Sequence, residues 1–133
     1  MIVLDASAAL EWLLVRDAAT AVADRFTDPD VTVHAPSLLG VEVAAALRVL
    51  VLARHTTAAR ASVALTDLAS AGIALHDPTP LLPRAWELRG NLTPYDAVYV
   101  ALAEVLDAVL VTTDARIARA PGLRAAVDVV TGS

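Results

Sequence analysis

The chain has no cysteine. That absence removes disulfides, thiolate zinc sites and cysteine nucleophiles together, and it fits a reducing cytoplasm. Lysine is missing too: all 10 basic residues are Arg, which excludes any mechanism that requires a lysine amine. Aromatic residues make up only 4%, so no stacking platform for single-stranded RNA is evident. No apolar run reaches the ~20 residues that span a bilayer. The longest candidate, Leu38 to Ala53, is interrupted by Glu42 and Arg48. No membrane segment is expected. Strand-like residues begin at Ile2 with no basic segment or cleavage site before them, so no signal peptide is expected either.

Positive charge is also scarce. Asp and Glu total 15 against the 10 arginines, for a net charge of −5 and a pI near 4.9. A protein that coats nucleic acid by charge alone is basic. A phosphate-bearing substrate therefore needs local help here, from metal ions or clustered Arg. Hydrophobic residues, by contrast, reach 57%, above the roughly 45–50% of ordinary domains. The cause is mild, because 29 of the 133 residues are Ala, a strong helix former. The length predicts one domain over residues 1–133.

Short apolar runs alternate with longer helical stretches. Ile2-Val3-Leu4 reads as a buried strand ending at Asp5. Helices are predicted over Ser7 to Leu14 and Asp17 to Phe26, then a turn at Asp28-Pro29-Asp30 and a strand over Val31 to His34, closed by Pro36. Ser37 is a plausible N-cap for a long helix to about Arg54. After a break at His55-Thr56, a helix runs to about Ser70 and stops before Gly72, which reads as a C′ glycine. Ile73 to His76 forms a strand, and a helix follows near Leu81 to Arg89. Thr93-Pro94 opens a helix to about Leu106, with Pro suited to the first helical position. Val109 to Thr112 is a strand, and a short helix and a strand near Val127 to Val130 complete the pattern. Apolar strands separated by helices imply an α/β fold with a parallel sheet covered on both faces. Ligands in such sheets bind at the carboxyl ends of the strands.

Four acids stand out by position. Asp5 ends the first strand and Asp114 follows the fourth, so both belong to one edge of a parallel sheet. Each also suits helix capping. Glu42 has Leu38, Leu39, Ala45 and Ala46 as its helical neighbours, which places it on an apolar stripe, where a carboxylate needs a partner or a metal. Asp96 lies three residues after Thr93, near a capping-box arrangement, but Tyr99, Val100 and Ala103 continue an apolar face behind it. Four carboxylates converging in a cleft repel one another unless cations neutralise them. A ligand set made of oxygen alone suits Mg²⁺ or Mn²⁺. Ser7, Thr112 and Thr113 flank the strand-end acids and are candidates to orient a carboxylate. His34, His55 and His76 share no helical spacing and read as structural, and Trp12 and Trp86 as core or interface residues.

In this arrangement the sequence resembles the PIN-domain family, and within it the VapC-type ribonuclease toxins. Ile2 to Ala8, with Asp5, is similar to that family's first-strand motif, and Leu39-Gly40-Val41-Glu42-Val43 to its helix motif. Thr93-Pro94-Tyr95-Asp96-Ala97 followed by Tyr99 to Ala103 resembles the internal block, and Leu110-Val111-Thr112-Thr113-Asp114 the last motif. The resemblance implies a three-layer α/β/α sandwich around a central, mostly parallel sheet of four to five strands. It also implies a Mg²⁺-dependent endoribonuclease, with Mn²⁺ able to substitute, whose metal and catalytic residues are Asp5, Glu42, Asp96 and Asp114, supported by the hydroxyls of Ser7 and Thr112. The partners it implies are an RNA substrate, a cognate antitoxin of a type II toxin–antitoxin pair and a second copy in a homodimer. The family often carries a further acidic or amide residue just past the last Asp; here Arg116, Ile117 and Ala118 follow. Competing readings are a phosphoaspartyl protein, which relies on a lysine this chain lacks, a non-enzymatic interaction module, and a DNA nuclease of the same fold.

Overall fold

The computed structural model describes residues 1–132. Five short strands, β1 (Ile2–Leu4), β2 (Val33–Pro36), β3 (Ala74–His76), β4 (Val109–Thr112) and β5 (Val127–Val129), form one sheet in the order β3-β2-β1-β4-β5. Every pairing is parallel. The chain steps outward from β1 through β2 to β3, then returns to the other side of β1 as β4 and β5. The strand order therefore reverses between β1 and β4, the place where such sheets form a crevice. Both strands are apolar because both are covered: Val3, Leu4, Leu110 and Val111 are fully buried.

Helices flank the sheet in a three-layer α/β/α sandwich: α1 (Ala6–Leu13), α2 (Ala19–Asp24), α3 (Leu39–Leu52), α4 (Ala58–Ala69), α5 (Leu82–Glu87), α6 (Pro94–Leu106) and α7 (Ala115–Arg119). The central helix is α6, buried without interruption from Ala97 to Ala103 and packed on β1, β2 and β4. Its small residues let the backbone lie close to the sheet. On α1, Ala8 and Ala9 are fully buried, and the helix packs on β4 and also against α2, α3 and α4.

Several elements differ from their sequence-based bounds. Ser37 does not cap α3. The N-cap is Leu38, which makes no side-chain cap bond, and the Ser37 N–H instead extends the β2–β3 ladder to the His76 carbonyl at 2.8 Å. Pro36 lies inside β2 rather than beyond it. It is tolerated because β1 pairs with β2 only at Val33 and His34, so Pro36 has a neighbour on one side alone. The predicted helix from Asp17 shrinks to Ala19–Asp24, and the one at Leu81 to Arg89 splits into a 3₁₀ turn at Thr79–Leu81 and α5. Gly72 adopts φ of +72° one residue beyond the C′ position of α4. Long α3 is not enclosed by this chain, since Val41, Val49 and Leu52 stay exposed.

Trp12, Trp86, His34 and His76 each meet a neighbouring side chain. Trp12 meets Phe26 edge to face with centroids 5.2 Å apart, while exposed Trp86 carries the Arg89 guanidinium over its ring. His34 joins His76 across β2 and β3 at 2.9 Å, with Thr32 on its other ring nitrogen. Burial first, then His76, holds His34 below the usual histidine range.

One ion pair locks the returning half of the sheet. Arg84 on α5 grips Glu104 on α6 at 2.7 and 3.2 Å and also reaches the Gly122 carbonyl at 2.6 Å. Glu104 accepts the Arg124 N–H as well, at 2.8 Å. Burial alone would raise the Glu104 pKa, but Arg84 and the Arg124 N–H overrule it and hold the group below the ordinary range. Arg84→Ala is expected to lower stability by roughly 2 kcal/mol in urea denaturation at pH 7, less than the ~3–5 kcal/mol of a fully enclosed pair. A depressed carboxylate stabilises above its unfolded pKa and loses that contribution as pH falls through the folded value. The gap between wild type and variant should therefore close in acid.

Candidate active site

β1 ends and α1 begins at one residue, Asp5, which is the helix N-cap and is buried. Its Oδ1 accepts the Ala8 N–H at 2.9 Å and the Ser7 hydroxyl at 2.7 Å. Its Oδ2 accepts the Thr112 hydroxyl at 2.5 Å. The Thr112 hydroxyl oxygen in turn accepts the Asp114 N–H at 3.0 Å, and the Ser7 oxygen accepts the Thr113 N–H at 3.1 Å. Thr113 thus contributes its backbone to this network. The capping role of Asp5 is real, and it coexists with a place at the carboxyl edge of the central strand. Burial pushes the Asp5 carboxyl up, and the Asp96 charge adds to this, against the pull of its three donors.

Glu42 and Asp96 approach the same edge from the first turns of α3 and α6. Both are half-buried. Ala45 is exposed, so the stripe around Glu42 is covered on one side only. The Thr93 hydroxyl accepts the Asp96 N–H at 3.2 Å, which is half of a capping box, and the Asp96 charge reaches Asp5 and Glu42. One turn further along α6 lies Tyr99, with only 2% of its surface exposed. Its hydroxyl faces Glu42 without closing a hydrogen bond. Tyr99 Oη and Glu42 Oε1 are both buried and without a partner. Burial raises Glu42, and the Asp96 and Asp5 charges add to it, while Tyr99 attenuates the rise. Tyr99 is itself held far above the tyrosine range by burial and by Glu42.

Asp114 behaves differently. As N-cap of α7 it accepts the Arg116 N–H at 2.9 Å, and the Arg116 guanidinium covers both its oxygens at 2.6, 3.1 and 3.2 Å. That contact holds the Asp114 carboxyl below the carboxylate range. Asp96 is raised by burial and then by Asp114, and Arg116 partly offsets this. The charges are linked in a chain: Asp96 bears on Asp5 and Glu42, Asp5 on Glu42, and Asp114 on Asp96. The four acids do not form a ready cage, for among the described residues no group of three or more acids or histidines is arranged to hold a metal ion.

The donor set nonetheless fits a hard divalent cation. It consists of carboxylate oxygens alone. Asp5, Glu42 and Asp96 all have raised pKa values, and Glu42 Oε1 is buried without a partner. Asp114 is taken up by Arg116 and joins such a set only by leaving it. Sequence reasoning missed Tyr99 and Arg116 as site residues. Tyr99 is legible as the residue three places after Asp96 on the same helical face, but nothing local shows that its hydroxyl meets Glu42.

Comparison with known proteins places the chain in a family. A family model described as PIN domain matches residues 2–123, a span that holds all four acids. Ribonuclease VapC12 of Mycobacterium tuberculosis is 39% identical over 130 residues, covering 98% of this chain and 99% of that protein. The crystal structure of PAE2754 from Pyrobaculum aerophilum superposes with a TM-score of 0.68 at 30% identity, over 96% of this chain and 88% of that one. VapBC2 from Rickettsia felis, solved bound to a DNA fragment from their promoter, gives a TM-score of 0.66 over 98% of this chain and 100% of that chain. At 16% identity that likeness concerns the fold alone.

The electrostatics generate a prediction. A carboxylate whose folded pKa is raised contributes stability below its unfolded pKa and loses it as pH rises through the folded value. Glu42 and Asp96 thus destabilise the metal-free chain from about pH 4 upward, the region where free carboxylates ionise. Glu42→Gln should raise the melting temperature of the metal-free protein at pH 7 and flatten its fall between pH 4 and 7. A lower melting temperature at pH 7 would show that the carboxylate is stabilising rather than crowded.

Proposed function

The chain belongs to the PIN domain family, and from that premise we propose that it is a metal-dependent endoribonuclease that acts in the cytoplasm as the toxin of a type II toxin–antitoxin pair. The observation that carries the reading is the meeting of four acids at the strand-order switch, three of them pushed up by burial and mutual charge. Asp5, Glu42, Asp96 and, once it leaves Arg116, Asp114 would hold Mg²⁺, which Mn²⁺ could replace. When bound, the cation neutralises the carboxylates, lowers the pKa of water and offsets the charge of a phosphodiester.

The chain's own residues prepare that chemistry. Ser7, Thr112 and the Ala8 N–H fix the Asp5 carboxylate before any ligand arrives, so little reorganisation is needed at the site. The α6 N-terminus, capped by Thr93, sets Asp96 where the helix dipole favours negative charge. Tyr99 has an O–H free to donate to Glu42 and steady it in its ionised form. Hydrolysis of the RNA backbone in this manner leaves a 5′-phosphate and a 3′-hydroxyl. The relative named a ribonuclease supports RNA as the polymer.

Two partners accompany the reading. The first is a cognate antitoxin, which the toxin reading requires. An Arg or Lys of that partner, set against Asp5, Glu42, Asp96 and Asp114, would compete with the cation for the same oxygens, because the Arg fork pairs with carboxylates bidentately. The exposed apolar residues Val49 and Leu52 of α3 support a homodimer. None of the helices among the described residues is long and apolar enough to cross a membrane.

Two measurements test this reading. Asp96→Asn should reduce cleavage of total cellular RNA in Mg²⁺ by about 10²-fold or more while leaving the far-UV circular dichroism unchanged. Wild-type cleavage by that variant would remove Asp96 from the mechanism. Light scattering at micromolar concentration should give twice the 13.8 kDa chain mass, and a monomer would reject the dimer.

A further inference from the structure

Arg116 lies two residues past the last of the four acids, in the first turn of α7. The next residue, Ile117, is buried and anchors α7. Arg116 faces outward, with 81% of its side chain exposed, and its guanidinium bonds only to Asp114. Its charge also reaches Asp96. In a chain with no lysine and a net charge of −5, Arg116 is a cation held in direct contact with Asp114; Arg119 acts on the same acid through its charge.

The energetics of that contact matter. An exposed ion pair contributes little, because water screens it and the long side chain loses freedom. Arg116 is therefore positioned by Asp114 but not trapped by it. A phosphate offers the guanidinium fork the same two-oxygen geometry as a carboxylate. The exchange is balanced in charge: the guanidinium trades one anion for another, and Asp114 is released toward the other three acids.

Building on the ribonuclease reading, we propose that Arg116 is a substrate-binding residue that grips a backbone phosphate of the RNA beside the scissile bond, and that Asp114 holds it ready in the free chain. A purely structural account, in which Arg116 only neutralises Asp114, predicts no effect on RNA affinity.

The test compares wild type, Arg116→Ala and Arg116→Lys. Steady-state cleavage of a defined RNA in Mg²⁺ should show KM raised about tenfold in Arg116→Ala, the loss of one charge-assisted contact, with kcat within about threefold. Arg116→Lys should recover part of the loss as a point charge without the fork. Fluorescence anisotropy with a labelled RNA on the Asp96→Asn background should show the dependence of log affinity on log salt becoming shallower by about 0.7 when Arg116 is removed, the value for one phosphate contact on a single strand. An unchanged KM together with an unchanged salt slope overturns the inference and leaves the ribonuclease reading standing. A wild-type chain that neither cleaves nor binds RNA overturns both.

Discussion

The hydrogen bond from Thr112 to Asp5 is the contact on which the rest of this molecule depends. It joins the ends of β4 and β1, the neighbouring strands at which the chain reverses its order. A carboxylate buried there is costly unless donors surround it. Asp5 receives three, from Thr112, Ser7 and the Ala8 N–H. The last of these also caps α1, so one side chain ends a strand, starts a helix and closes the gap between two non-consecutive strands. Thr112 is fully buried for the same reason. Its oxygen passes the network on to the Asp114 N–H.

Around that anchor the site is built from repulsion. Asp5, Glu42 and Asp96 are all harder to ionise than free carboxylates, first because burial removes water and then because a neighbouring acid bears on each. Structures keep such groups where a ligand relieves them, because whatever binds the folded state alone stabilises it. Asp114 already shows one form of relief, a guanidinium from within the chain. That guanidinium reaches Asp114 through direct contact and Asp96 through its charge alone.

Much of this was legible in the residue order. Ile2 to Leu4 and Val109 to Thr112 read as buried strands because they are apolar without alternation, and both lie in the middle of the sheet. Thr93-Pro94 marks the start of α6 correctly, since a capping hydroxyl and a first-turn proline both act locally. Ser37 shows where local reasoning fails. A good capping residue stands before α3, yet its N–H serves the ladder to β3, a strand nearly forty positions downstream. Pro36 entered β2 for a related reason: whether a proline is tolerated depends on which neighbours a strand has, and only the assembled sheet decides that.

The sequence by itself determined the type of chemistry. The absence of cysteine and lysine closed off thiol and amine chemistry, and acids after apolar strands and at helix starts marked the candidate edge. Its periodicities also determined a parallel α/β sheet, because hydrophobic spacing is a local property of the chain. The tertiary structure decided which groups meet. It set Thr112 on Asp5 across 107 positions of sequence, brought the Tyr99 hydroxyl to face Glu42, and drew Asp114 onto Arg116 instead of into a closed set of four. Those pairings follow from strand order and from the directions in which buried side chains can leave their elements. Neither is encoded in any short window of residues, so the protonation state of each acid is a property of the fold.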